Sequence, residues 1–393
     1  MAVEPRIYRV TARQDRGLGG DVGQFVRELD YVLLACVAGL LAYGLWIVQT
    51  VTQDDVAGDS GYFFVRQAIF AGVGVVAMIA MAAVDPEVFW RRRNLLYGAS
   101  LALLVIVFVI GPSIRGSRRW IDLGAFQLQP SELTKIVLVI FLAGFLAERT
   151  RRLDGVVVLS AIGLAAVPIM LVFFEPDLGS AIVLCVAAGG ALVFAGIRWP
   201  YLTALAVAVI AISVCALWLL PSAGVEVLKP YQKERLIGFI HPDSDPSGST
   251  YNVNQSMTAV GAGGLDGRGV EGATQTNLNY LPEHATDFIF ASLAEQRGFL
   301  GASILLLLYA LLVWRGIKIV AIANSQFAAT VAGAITTMLV CQIFLNVGMT
   351  IGIAPVTGIT LPFVSYGGSS MIVSLACMGL LQAIHVRGRL SGR

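Results

Sequence analysis

LPEHATDFIF, residues 281–290, lies where a long polar segment gives way to a new apolar run. Asp287 stands at that boundary, at the mouth of what reads as a membrane helix, with Glu283, His284 and Thr286 just before it. Whether the run that follows spans a bilayer decides the fold, and composition answers that question. Of 393 residues, 57% are hydrophobic and only 13% charged, against about 25% charged in an ordinary soluble domain. Hydrocarbon cannot solvate ionised side chains, so the deficit reads as an all-α polytopic membrane protein. The net charge of +2 says nothing about nucleic acid, and no basic cluster is large enough to suggest it as a partner. All five cysteines fall singly inside apolar runs, which favours buried hydrophobes over disulfides or metal ligands.

Working outward, ten apolar segments approach the length needed to cross about 30 Å of hydrocarbon. They are expected near 31–51, 63–84, 95–111, 132–147, 155–174, 178–197, 201–220, 287–315, 326–351 and 366–386. The chain then divides into an N-terminal tail (1–30), seven spans (31–220), a long loop (221–286), three spans (287–386) and a C-terminal tail (387–393). The first apolar run is too long, and wrongly flanked, for a cleavable signal peptide. Basic residues set the orientation. Arg6, Arg9, Arg13, Arg16 and Arg27, then Arg91–Arg93, Arg149–Arg152, Arg198, Arg315 with Lys318, and Arg387–Arg393 fall on one side of a ten-span chain. Both termini are thus expected in the cytoplasm and the loop between helices seven and eight outside. Residues 112–131 break the pattern, being external yet carrying Arg115, Arg118 and Arg119. A bound anion and tolerated interfacial arginines explain that cluster equally well.

Several polar residues sit where a membrane protein should have none. Glu132 and Lys135, three apart at the start of the fourth span, share a helix face and are expected to pair. The pair is either structural or lines a polar cavity for a headgroup. Gln342, Asn346 and Thr350 form one stripe, as glue between helices or as a cavity wall. Residues 352–370, GIAPVTGITLPFVSYGGSS, read as a loop folded into the protein. Asp177 in EPDLGS reads as a helix cap. The glycine run GAGGLDGRGVEG at 261–272 follows no strand and reads as a flexible loop rather than a phosphate cradle. For Asp287, capping at a helix start is a complete structural explanation, while the acid and imidazole groups beside it also suit proton transfer. The three histidines show no metal-ligand spacing. A transporter and a membrane enzyme acting on a lipid-linked substrate both remain open. The absence of a clear internal repeat and the acid at the rim of the long loop favour the enzyme.

RRWIDLGAFQLQPSELTK (118–135), EPDLGS (175–180), YNVNQS (251–256), LPEHATDFIF (281–290) and PVTGITLPFVSYGGSS (355–370) together resemble the SEDS family of bacterial cell-wall polymerases (shape, elongation, division and sporulation). The resemblance covers nearly everything after the first thirty residues, in the family's order. It implies a peptidoglycan glycosyltransferase of the bacterial cytoplasmic membrane that polymerises lipid II at the extracytoplasmic face. The RodA-like, elongation-type branch is preferred on PVTGI and Gln275; a division-type (FtsW-like) polymerase and a lipid II flippase are the alternatives. Asp287 falls on the family's essential TDF aspartate, expected to act as general base. Arg119 and Trp120 match its RW motif, and Glu132 and Lys135 its PSE-x-x-K pair. Glu283 belongs to the LPE motif; Ser365, Tyr366, Gly367 and Gly368 match the final signature. The expected partners are lipid II, a class B penicillin-binding protein and other elongation-complex membrane proteins. No metal ligand is assigned, although a divalent cation (Mg or Mn) at the pyrophosphate is compatible with the chemistry. Ala285 stands where the family usually writes histidine, with His284 one residue earlier, and Gln296 stands where a second acid is common.

Overall fold

The computed structural model describes residues 18–112, 119–122, 124, 127–150, 153–215, 239 and 249–391. Arg6, Arg9, Arg13, Arg16, Arg115, Arg118, Arg151, Arg152, His241 and Arg393 lie outside these residues, as do residues 221–238 and 240–248 of the long loop. A short helix α1 (Leu18–Arg27) precedes α2 (Tyr31–Val51), α3 (Tyr62–Ala83) and α4 (Pro86–Ile110). A small antiparallel hairpin follows, β1 (Ile121–Asp122) with β2 (Gln127–Leu128), pairing Ile121 with Leu128. Next come α5 (Pro130–Ala147), α6 (Gly155–Phe174), α7 (Leu178–Phe194) and α8 (Trp199–Val214). Beyond the loop lie α9 (Ser249–Gly263), the single turn α10 (Thr274–Asn277), α11 (Ile289–Ile322), α12 (Gln326–Thr350) and α13 (Gly368–Ser391). Among the described residues, eight helices are long and apolar enough to cross a membrane. The apolar helices Leu178–Phe194 and Trp199–Ala211 are shorter than the rest.

Five of these helices begin where a side chain accepts from an orphan backbone N–H. Asp30 accepts from Leu33 N at 3.0 Å, Asp154 from Val157 N at 3.1 Å, Asp177 from Ser180 N at 3.1 Å and Ser325 from Ala328 N at 3.2 Å. Asp85 accepts from Glu87 N, with Pro86 in the first turn. That cap starts α4 well before residue 95, where hydropathy had placed it. Arg91–Arg93 therefore ride on a helix rather than in a turn, and Arg93 reaches Glu148 at 2.7 Å. Inside α6, Pro168 has no N–H to offer the Leu164 carbonyl. The Tyr97 hydroxyl supplies that missing donor at 2.6 Å, which is how the helix tolerates its proline.

The centre of the bundle is α13, with 89% of its best spanning window buried, and α5, with 78%; α3 and α4 have 17% and form the periphery. Small residues set the close contacts, as lipid-embedded packing requires. A Cβ at Gly379 of α13 would meet the Met78 carbonyl of α3 at 2.2 Å. At one end of the bundle Gln382 exchanges two hydrogen bonds with the Asp30 backbone (2.9 and 3.0 Å), and Arg315 bonds the Asp30 carboxylate (2.8 Å). These contacts tie α2, α11 and α13 together. The five cysteines are free, but only Cys36 and Cys377 are buried. Cys185 is exposed, a correction to the expectation of uniform burial.

The break in α11 overturns the reading of the glycine run. Gly298 has φ 63° and ψ −163°, a conformation open essentially to glycine alone. The helix there loses its own hydrogen bonds, and the 263–269 segment replaces them. Arg268 N and Gly269 N donate to the carbonyls of Glu295 and Gln296 at 2.9 and 3.0 Å. Phe299 N and Leu300 N donate to those of Gly264 and Leu265 at 2.9 and 3.2 Å. The glycines are needed for close approach, since a Cβ at Gly263 would lie 1.9 Å from the Ala294 carbonyl. Glu295, fully buried, accepts from Gln275 N, Thr276 N and Thr276 Oγ1 at 2.7–3.0 Å. The run is thus a docked segment rather than a flexible loop.

Candidate active site

Residues 281–288 form an irregular turn leading into α11. The N-cap position falls on Phe288, so Asp287 stands one residue ahead of the cap. Phe288–Ala294 are buried, whereas Asp287 is half-buried. The backbone around it is held at three consecutive carbonyls. Tyr366 N donates to Ala285 O at 2.9 Å, Ser365 Oγ to Thr286 O at 2.6 Å, and Asn346 Nδ2 to Asp287 O at 2.9 Å. Asn346 also donates to Ile359 O at 2.7 Å, which makes the polar stripe on α12 a clamp on two loops. Thr286 Oγ1 donates to Glu283 Oε2 at 3.0 Å, and Glu283 itself has φ 56°. The SEDS-like motifs TDF and SYGG, about 80 residues apart in sequence, therefore make one unit.

The 355–367 loop needs such restraint. Phe363 adopts φ 68°, costing about 1–2 kcal/mol for a residue with a Cβ. Its neighbours compensate: Ser365 Oγ accepts from Leu361 N at 2.8 Å, and the Tyr366 ring meets Phe63 edge-on at 5.0 Å. Gly367 N donates to Gln67 Oε1 at 3.2 Å. Gly368 opens α13 with its Cα against the Phe70 ring, where a Cβ would approach to 3.0 Å.

His284 is buried and its ring faces two acceptors, Asp55 Oδ2 at 3.1 Å and Leu281 O at 3.2 Å. Two acceptors favour the doubly protonated ring. Burial pulls the imidazole pKa down, but the Asp55 hydrogen bond and charge, the Leu281 carbonyl and Glu283 more than offset it, leaving it above its ordinary value. His284 thus pins the end of α2 to this turn.

A second polar group surrounds Arg119. Its guanidinium bonds the Pro176 carbonyl and lies 3.8 Å from Asp177 Oδ1, while its buried Nε has no hydrogen-bond partner among the described residues. Asp177, besides capping α7, accepts from Gln129 Nε2 at 3.0 Å and Ser131 Oγ at 3.4 Å. Trp120 is half-buried at the head of the hairpin. Glu175 is 1% exposed, and neither carboxylate oxygen has a hydrogen-bond partner among the described residues. Burial first, and the Asp177 charge second, push its pKa up to about 8 against the opposing pull of Arg119. Glu132 and Lys135 form the expected pair at 2.6 Å, 5% and 2% exposed.

Ser369 joins the two halves, since its Oγ accepts from Gln129 N at 3.0 Å and donates to Gln127 O at 3.0 Å. The loop 361–370 thereby contacts the Asp287 turn on one side and the entry to α5, with Glu132 and Lys135, on the other. The sequence reading gave Gln67, Ser369 and Asp55 no part in the site. Gln67 left a signal, as one of only two polar residues, with Arg66, inside the 63–84 run. Among the described residues no group of three or more His, Cys, Asp or Glu side chains is placed to hold a metal ion.

The fold and site have known counterparts. The FTSW_RODA_SPOVE family, described as cell cycle protein, matches residues 30–390. The chain is 36% identical over 367 residues to Peptidoglycan glycosyltransferase MrdB of Escherichia coli (strain K12), covering 92% of this chain and 95% of that one. It is 37% identical over 364 residues to Stage V sporulation protein E of Bacillus subtilis (strain 168), covering 90% and 95%. A solved chain from work on structural coordination of polymerization and crosslinking by a peptidoglycan synthase complex superposes with TM-score 0.78 at 30% identity, over 92% of this chain and 98% of that one. The Thermus thermophilus Rod shape determining protein RodA superposes with TM-score 0.66 at 28% identity, over 91% and 96%. With the motifs in register and the match running from residue 30 to residue 390, this chain belongs to the FtsW/RodA/SpoVE family of cell cycle proteins, the SEDS family.

Proposed function

We propose that the chain is a peptidoglycan glycosyltransferase that polymerises lipid II during cell elongation. The observation that carries this reading is the three-carbonyl clamp on residues 285–287, which holds a half-buried aspartate in a fixed turn. A general base must be positioned before its pKa matters. Asp287 takes the proton from the acceptor sugar hydroxyl as the hydroxyl oxygen bonds to the donor's anomeric carbon. The bond from that carbon to the lipid pyrophosphate breaks, and the pyrophosphate leaves with the bonding pair. Arg119 meets the charge on the leaving group, giving up part of its hold on Asp177; Trp120 stands beside it. Glu132 and Lys135 keep the polar interior ordered next to the Ser365–Gly368 loop.

Both termini lie in the cytoplasm and the Asp287 end of the bundle faces outward, as the arginine distribution requires. A class B penicillin-binding protein, a membrane-anchored enzyme that cross-links the new strands, is the natural partner. The test is direct. Purified protein, with and without such a partner, is incubated with lipid II and the products are sized on a gel. Wild type should yield polymer, while Asp287→Asn should fold, reach the membrane and yield none. Polymer of normal length from Asp287→Asn would remove the assignment, and lipid II movement without polymer would favour a flippase.

A further inference from the structure

We infer that Gln67, on the peripheral helix α3, is a positioning residue for the Asp287 turn; this rests on the reading of Asp287 as the base. Gln67 is fully buried, although its neighbours Val65 and Ile69 are 54% and 58% exposed. A buried amide in a membrane helix is costly unless both of its polar atoms are bonded. Both are, and both are spent on the backbone of one loop. Gln67 Nε2 donates to Ser365 O at 2.9 Å and Gln67 Oε1 accepts from Gly367 N at 3.2 Å.

The amide therefore grips the chain on either side of Tyr366. Those same residues supply two of the three donors that hold the catalytic turn, Tyr366 N to Ala285 O and Ser365 Oγ to Thr286 O. The path from Gln67 to the peptide unit before Asp287 contains two hydrogen bonds and the Ser365 side chain. The loop also carries the left-handed Phe363, so it is not held in this shape by its own preferences. Helix glue would more simply bond helix to helix; Gln67 bonds a loop whose other contacts lead to the base.

Three variants in purified full-length protein with its cross-linking partner and lipid II test this: Gln67→Leu, which removes both bonds, Gln67→Glu, which keeps the acceptor, and Ser365→Ala. Positioning predicts that Gln67→Leu lowers kcat by about 10- to 100-fold, as small displacements of a catalytic group do, with KM within about twofold. Gln67→Glu should restore part of that loss. The double variant Gln67→Leu with Ser365→Ala should be no slower than the worse single variant, because both act on one path. Unchanged kcat in Gln67→Leu, or multiplicative losses in the double variant, would overturn the inference. So would failure of both Gln67 variants to fold, which would make the residue purely structural. Asp287→Asn in the same assay separates the two claims. If it stays active, the base assignment fails; if it is inactive while Gln67→Leu is normal, only the positioning role fails.

Discussion

Replacing Glu175 by glutamine should remove a pH-dependent weakness from the fold. The carboxyl is 1% exposed, neither oxygen is hydrogen-bonded among the described residues, and its pKa is pushed up to about 8 from an ordinary 4.5. Between those two values the folded chain keeps a proton that the unfolded chain has released. Stability therefore falls as pH rises through that window, by about 1.4 kcal/mol per pH unit. Between pH 5 and pH 9 the loss is about 4 kcal/mol, or about 5 °C in Tm for a chain of this length. Other groups titrate over the same range, so the informative quantity is the difference between variant and wild type. Thermal unfolding in detergent or nanodiscs at a series of pH values measures it. The Tm of Glu175→Gln relative to wild type should climb by about 5 °C from pH 5 to pH 9. The missing hydrogen bonds of a buried amide shift that difference by a constant and leave its slope alone. Parallel Tm curves for the two proteins would refute the argument, because they would mean that Glu175 is already ionised or already solvated in the folded state.

Lys135→Met should cost about 3–5 kcal/mol, since it leaves Glu132 buried without its cation; adding Glu132→Gln should recover most of that in a thermal-unfolding assay. Polymerisation that returns along with stability in the double variant would mark the pair as structural, and polymerisation that stays lost would mark it as part of the substrate site. Gly263→Ala should undock the 263–269 segment from the α11 break, because the added Cβ would sit 1.9 Å from the Ala294 carbonyl. Limited proteolysis should then cut the segment faster than in wild type. His284 has a raised pKa, so its pairing with Asp55 stabilises the fold fully below the unfolded value near 6.5 and fades as pH rises through the folded one. Asp55→Asn should flatten the Tm profile across that range, and an unchanged profile would sink the pairing.

Much of the molecule is legible from hydropathy, because a span must be apolar along its length whatever it packs against. That is why helices such as Tyr31–Val51, Gly155–Phe174 and Gln326–Thr350 begin and end within a residue of their apolar runs. The same rule fails at α4, where the cap at Asp85 starts the helix inside a basic stretch that hydropathy reads as a turn. Local pattern also placed Glu132 beside Lys135, since three residues of helix bring them together in any fold. Asp287 was singled out as the acid at a rim and at a helix start, but the exact cap position, Phe288, was not, because it depends on where the 281–288 turn closes.

What the chain determined by itself was which segments enter the membrane, which ionisable groups go with them, and which motifs signal the chemistry; all of these depend on residues close together in sequence. Tertiary structure alone decided that Gln67 would grip Ser365 and Gly367, that Asn346 would hold Asp287, and that glycines 263–269 would complete a broken helix. Each of those bonds joins backbone groups to partners outside their own element, and a carbonyl looks the same in every sequence until folding shows which donor reaches it.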